Sequence, residues 1–220
     1  MKIITYLLLY VNVILLTLSA SELSAKDQTQ DIVKSVVTGS IAELGIFTFY
    51  QFGNTCRLSS NGEGTCKGEG KQTVTVKLGL KESDRLIAVS GFQYLLDIYL
   101  IYEAHSEESG YGAILCLDGQ SLQAKWSTYI QGFNIGESLA RNGFLFVTAF
   151  GFIGKIDLGT GNYVWKHDDL YRQPDYFNSF EKPSLVDNVV YFTESKPSYL
   201  RRQSVTIKVN NATGAIIEEK

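Results

Sequence analysis

Two histidines and three cysteines are the side chains best equipped for chemistry in this chain. His105 lies in an acidic stretch with Glu107 and Glu108, and His167 precedes Asp168 and Asp169. An imidazole beside carboxylates could begin a divalent-metal site, but a site needs several converging ligands, and neither histidine has a second one at ligand spacing. Both read as loop residues, so no metal site is predicted. The run Asp157 to Asn162 (DLGTGN) has the outline of a calcium loop without its alternating oxygen ligands or its distal glutamate. Cys116 sits inside an apolar run, Ala113 to Leu117, where a thiol is a buried core group, and no serine occupies a nucleophile-elbow pattern. Gly62, Gly64, Gly68 and Gly70 are interleaved with charged residues and open no helix, so they cradle no phosphate. No catalytic residue and no cofactor are predicted.

Cys56 and Cys66 bracket the polar segment Arg57 to Thr65, which has the composition of a hairpin tip. In an oxidising compartment such a pair forms a local disulfide; a metal site is the alternative, with no histidine nearby to complete it. The N-terminus points to that compartment. Lys2 precedes an apolar run, Ile3 to Leu18, and small residues follow at Ser19-Ala20-Ser21 and Ser24-Ala25. This is the layout of a secretory signal peptide over residues 1–25, cleaved between Ala20 and Ala25. An uncleaved anchor is the rival, because the run approaches the roughly 20 residues that span a bilayer. Small residues where a stop-transfer charge cluster would stand favour cleavage. The mature chain, residues 26–220, is therefore expected in the periplasm or outside the cell, free of the membrane. Asn211-Ala212-Thr213 is a glycosylation sequon only in a eukaryotic secretory pathway. A net charge of −3 with no basic stripe beyond Arg201-Arg202 excludes nucleic acid as a partner.

One segment suggests recognition. Tyr171 to Phe180 (YRQPDYFNSF) places Tyr171, Tyr176, Phe177 and Phe180 beside Arg172 and Asp175, residue types enriched at protein interfaces. The same aromatics could equally fold back over the edge of the domain. The acidic loop 103–110 and the loop Lys196 to Arg202 are further candidates.

The elements that position these residues are strands. Tyr (13), Phe (12) and Gly (20) are abundant while Met (1) and Pro (3) are scarce, a β composition. The chain also repeats. AILCLDGQSLQAKW at 113–126 and FIGKIDLGTGNYVW at 152–165 both run apolar strand, Asp, polar turn, then a strand ending in Trp. Asp118 and Asp157 are 39 residues apart (157 − 118), as are Trp126 and Trp165 (165 − 126). VTIKVNNATGAIIE at 205–218 is a third copy with Asn210 in the Asp place and Glu218 in the Trp place. Upstream of each copy, hairpins are predicted to turn at Asp97, at Arg141-Asn142-Gly143 and at Asp187-Asn188. This spacing fits four-stranded propeller blades. Four units are expected, at about 36–80, 86–130, 137–168 and 183–219, the first of them matching only in length and β character.

The turn-plus-Trp pattern resembles the repeat of quinoprotein-like (PQQ-type) β-propellers. Ile156 to Trp165 matches it closely; Leu117-Asp118 with Trp126 has Leu122 where the glycine belongs, and Asn210 with Thr213-Gly214 lacks the Trp. The resemblance implies an all-β fold, a small β-propeller or propeller-like array of about four antiparallel four-stranded blades. It also implies structural roles for Asp118, Asp157, Gly161 and Gly214 in tight turns, and for Trp126 and Trp165 between adjacent blades. It does not carry enzyme function: the quinone-dependent dehydrogenases are much larger rings around quinone and calcium, and neither their cofactor cage nor the adjacent paired cysteines of some of them appears here. The functional expectation is a non-enzymatic module that binds a protein through loops on one face, an envelope inhibitor, immunity-type protein or assembly scaffold. A small propeller enzyme or a cofactor or metal binder using the central channel is the alternative.

Overall fold

The computed structural model describes residues 46–51, 54–68, 72–106, 109–170, 179–197 and 203–219. The signal segment 1–25 and Tyr171, Arg172, Asp175, Tyr176 and Phe177 lie outside the described residues.

Sixteen strands form four antiparallel meanders, here called blades 1 to 4, and the described residues contain no α-helix. Blade 1 consists of β1 (Ile46–Gln51), β2 (Asn54–Ser59), β3 (Glu63–Gly68) and β4 (Thr73–Lys77). Blade 2 consists of β5 (Arg85–Tyr94), β6 (Asp97–His105), β7 (Gly110–Asp118) and β8 (Ala124–Ile130). Blade 3 holds β9 (Leu139–Arg141), β10 (Phe144–Ala149), β11 (Phe152–Asp157) and β12 (Tyr163–His167). Blade 4 holds β13 (Ser184–Val186), β14 (Val189–Thr193), β15 (Thr206–Asn210) and β16 (Ile216–Glu219). The expected all-β array of four-stranded blades is what the chain forms.

Burial along the strands shows which blades have two neighbours. In β6, β7 and β11, runs such as Ala113–Leu117 and Phe152–Ile156 are buried residue after residue, because both sheet faces are covered. In β14 and β15 burial alternates, the pattern of a sheet covered on one face. Three core clusters accordingly join blade 1 to 2, blade 2 to 3 and blade 3 to 4. Among the described residues no cluster joins blade 4 to blade 1. The free face of blade 1 carries exposed Arg57, Thr65, Lys67 and Thr75, and that of blade 4 carries Tyr191, Lys208 and Glu218 in part exposed.

Each joint is built from one blade's fourth strand and the next blade's last turn. Asp118, Asp157 and Asn210 shape those turns: their Oδ1 atoms accept backbone N–H bonds from Ser121 (2.7 Å), Thr160 (2.9 Å) and Thr213 (3.0 Å). Four residues after each, Leu122, Gly161 and Gly214 have positive φ and donate back to the carbonyl of Asp118, Asp157 or Asn210. A Cβ on Gly161 would lie 2.5 Å from the indole of Trp126, and one on Gly214 2.6 Å from the side chain of Trp165. Each Trp thus fills the space that the next blade's glycine leaves. Leu122 faces blade 1, which places Val74 where blades 2 and 3 place Trp, and there the leucine is buried at 2 % exposure in the shared cluster. The departure from the glycine pattern is thereby a volume exchange across the joint: a small preceding residue is met by a large one.

The first turn of blade 2 differs from expectation. Asp97 is the first residue of β6, pairing with Tyr94 and Asp118 and bound to Lys125 at 2.7 Å. The turn itself is Leu95–Leu96, with Leu95 at φ 54 and both leucines exposed. The sibling turns, Asn142–Gly143 and Asp187–Asn188, have positive φ at both central residues, whereas here only Leu95 does.

Candidate functional site

A meander sends its connections alternately to two ends. In blades 2 to 4 the first and third turns fall at one end, where Leu158 N–H donates to Gly143 O and Asn211 N–H to Asn188 O. The second turns and the links between blades fall at the other. There the link 131–138 meets the second turn of blade 3 through Phe150 N–H to Phe133 O and Gly136 N–H to Thr148 O, and Ser195 N–H donates to Ser179 O in blade 4. Among the described residues the first end holds tight turns, and the other holds the longer links 78–84 and 131–138.

Aromatic side chains mark this loop-bearing end. Phe133, exposed at 43 %, stacks on Phe150 with ring centroids 5.2 Å apart, and the edge of His105 approaches its ring. His105 also meets Glu103 at 3.2 Å, and the other carboxylate oxygen of Glu103 accepts from Ile135 N–H. The predicted segment 171–180 belongs to the link between blades 3 and 4. Of its candidates only Phe180 is described, and it is core: 3 % exposed, edge-on to Phe192 and bridged to Glu194. It cannot serve as an exposed contact.

Between blades 1 and 2 the same end opens into a cleft of about 540 Å³. Its floor is Leu78, Tyr102 and Ala113, with the Tyr102 hydroxyl donating to Leu78 O at 2.6 Å. One wall is the link after β4, carrying Gly79, Lys81, Ser83 and Asp84; the other is formed by β7 and β8 with Tyr111, Ser127, Thr128 and Tyr129. Asp84 is 1 % exposed, and its Oδ2 accepts from the Tyr111 hydroxyl at 2.7 Å and from Lys81 N–H at 3.2 Å. The Tyr111 hydrogen bond holds the Asp84 carboxyl below the ordinary carboxylate range, while burial and the Asp84 charge raise the Tyr111 phenol. Oδ1 meets only the Ser83 hydroxyl, at 3.4 Å, among the described residues. Tyr111 stacks on Tyr129 at 5.4 Å, and Tyr129 remains 58 % exposed.

Cys56 and Cys66 form a disulfide between directly paired residues of β2 and β3, buried against blade 2. Cys116 is a buried free thiol pushed up to about 11 by burial. Trp165 donates Nε1–H to Asn211 O at 3.0 Å, and His167 contacts Gly214 O at 2.7 Å, so both serve the joint between blades 3 and 4. Among the described residues the Trp126 Nε1 has no partner; at that joint the matching carbonyl, Leu158 O, accepts from the Tyr99 hydroxyl at 3.0 Å. Lys155 occupies the position matching Cys116, nearly buried, donating to Asn211 O and Oδ1 and lying 4.0 Å over the Phe144 ring; burial lowers its pKa.

No protein-family model and no curated protein matches the sequence. Solved structures do. The quinohemoprotein alcohol dehydrogenase ADHIIG of Pseudomonas putida HK5 matches with TM-score 0.51 and 12 % identity over 88 % of this chain and 36 % of its own. BamB of Moraxella catarrhalis matches with TM-score 0.38 and 14 % identity over 80 % and 60 % of the two chains. A protein of unknown function from Bacteroides caccae matches with TM-score 0.39 and 10 % identity over 76 % and 57 %. The chain thus spans about a third of the dehydrogenase and under two thirds of the other two. The likeness to the dehydrogenase is one of fold, a propeller-like array of antiparallel four-stranded blades. Among the described residues no group of three or more His, Cys, Asp or Glu could hold a metal ion. The disulfide of this chain joins neighbouring strands, not adjacent residues.

Proposed function

We propose that the chain is an exported, non-enzymatic binding module that engages a protein partner through the loop-bearing end of its blades, as an envelope inhibitor, immunity-type protein or assembly scaffold would. The observation that carries this reading is the division of the two ends. Among the described residues, the link 131–138 with the exposed Phe133 on Phe150 lies at the end opposite the tight turns capped by Asp118, Asp157 and Asn210. In this reading Tyr171, Arg172, Asp175, Tyr176 and Phe177, between β12 and β13 in the sequence, extend the contact surface. The buried disulfide favours an oxidising compartment.

A photo-crosslinking amino acid placed at Phe133 tests the reading in the host envelope, with Ser121 and Thr160 on the opposite end as controls. A discrete protein adduct from position 133, absent from 121 and 160, is the expected result. Adducts from the tight-turn end alone, or none from either end, would refute it.

A further inference from the structure

The link 131–138, which joins blades 2 and 3, holds one exposed side chain in a fixed place. We infer that Phe133 is a preset anchor, and that the partner meeting it is a folded protein that offers an apolar hollow to the ring. The inference rests on the reading that the loop-bearing end binds protein. It adds which residue dominates the contact and what kind of surface receives it.

The link has no strand or helix of its own, yet its backbone is pinned along its length. Gly132 and Asn134, on either side of Phe133, have φ of 96 and 59, left-handed conformations that glycine and asparagine adopt more readily than other residues. The Phe133 carbonyl accepts from Phe150 N–H at 2.9 Å, and Gly136 N–H donates to Thr148 O at 3.0 Å, so two bonds tie the link to blade 3. Ile135 N–H donates to Glu103 Oε2 at 3.3 Å, and the Ile135 side chain packs on the core cluster shared by blades 2 and 3. The Asn134 amide donates to the Ser179 hydroxyl, which lies just before blade 4. A Cβ at residue 132 would lie 3.0 Å from Phe150 O, so a larger residue there would press the bend away from blade 3.

This pinning does not serve the core, because the Phe133 ring is 43 % exposed and lies outside the three buried clusters. What it does is remove, before any encounter, the freedom that a loop otherwise loses on binding. The ring is buttressed as well: Phe150 stacks on it at 5.2 Å and His105 meets it edge-on at 6.4 Å. Aromatic anchors contribute most when the partner encloses them and excludes water. An extended peptide is recognised by a groove in which it lies or a sheet edge that it extends, and a single ring standing on a locked bend is neither. The complement of a projection is a hollow with walls on several sides, which a folded domain provides. A lipid surface is a poor occupant, since even a whole myristoyl chain anchors only marginally and one ring buries less.

The test has one readout without a partner and one with it. In the isolated full mature protein, the Ile135, Gly136 and Phe150 amides should exchange at least about a hundredfold more slowly than in a free chain. Exchange within about tenfold of the free-chain rate would overturn the preset anchor. In the host envelope, a photo-crosslinking amino acid at the exposed Glu137 reports on the contact while Phe133 is varied. Phe133→Ala should lower the adduct at least about tenfold, and Phe133→Leu should lower it less. Gly132→Ala, which keeps the ring and disturbs the bend, should also lower it, with protection of the β10 and β11 amides as the check on folding. Should Gly132→Ala fail to fold, Asn134→Ala takes its place. Partner residues captured from positions 133 and 137 should come from segments well separated in the partner's sequence. An adduct that Phe133→Ala leaves unchanged refutes the anchor while the reading of this end stands. Capture confined to one short stretch, to lipid or to a second copy of this chain overturns the partner assignment. No adduct from either position refutes the reading of this end, and the anchor falls with it.

Discussion

At the residue scale, the contact between Tyr111 and Asp84 is the most exposed to experiment. The Tyr111 hydrogen bond is the largest cause holding the folded Asp84 carboxyl below the ordinary carboxylate range. A depressed carboxyl adds stability that is complete above the unfolded pKa and disappears as pH falls through the folded one. Tyr111→Phe removes the donor and should cost about 1.5–3 kcal/mol near neutrality. In urea unfolding across pH, that difference should hold steady down to about pH 4 and shrink below it. Cys116 should behave in the opposite way to a reactive thiol. Buried, and with its pKa pushed up to about 11, it should resist alkylation by iodoacetamide at pH 8 in the native protein and react fully in guanidinium. The thiol's inertness was legible from its apolar run. The Asp84 site was not, because Asp84, Tyr111 and Tyr129 come from a link and two strands. Each is unremarkable in its own segment, a turn aspartate or a strand tyrosine, and only the register of β7 with β8 brings the two rings together.

At the element scale, the joints explain both what the sequence pattern revealed and what it concealed. The 39-residue recurrence of Asp and Trp exposes the third and fourth strands of blades 2 and 3, since a turn needing positive φ and a large residue filling the adjacent space constrain residue type strongly. The joint between blades 1 and 2 has neither Trp nor glycine: Val74 of blade 1 and Leu122 of blade 2 meet there, apolar residues whose pairing appears only across the joint. The two Trp joints also differ in a measurable way. Trp165 makes a hydrogen bond to Asn211 O, whereas among the described residues the Trp126 Nε1 has no partner. Trp165→Phe should therefore cost about 1 kcal/mol more than Trp126→Phe in chemical denaturation. Gly214→Ala meets Trp165 and a positive φ together. It should destabilise by about 2–5 kcal/mol and raise the exposure of Trp165, read from its fluorescence.

At the scale of the molecule, stability is distributed as in a one-dimensional array, where inner units have two neighbours and outer units one. Blade 1 compensates with a disulfide closing a short loop, and the described part of blade 4 has no such staple. Reduction should lower stability by about 2–3 kcal/mol. In hydrogen exchange of the oxidised protein, the amides of β14 and β15 should open ahead of those of β6, β7, β10 and β11. Uniform protection across blades would contradict this ordering. The number of blades was legible in the repeat, but whether the first and last meet was left open by it; among the described residues no core cluster joins them. Closure depends on the residues of two distant faces, Arg57 and Lys67 on one and Lys208 and Glu218 on the other, and nothing in either segment alone announces what it meets.

The one-way construction of the joints has a consequence in time. A tryptophan always belongs to the earlier blade and its glycine to the later one, so a ribosome delivers the knob well before the socket. While the chain is growing, Trp126 waits about 35 residues for Gly161 and Trp165 about 50 for Gly214. The unfinished edge is then a bare indole on an open sheet, the species most in need of a chaperone. Chains halted just before Gly214 should show a red-shifted Trp165 and bind hydrophobic dyes, and extension by a few residues should abolish both signals. The array is thus a clock of its own synthesis, each blade sealed only by the arrival of the next.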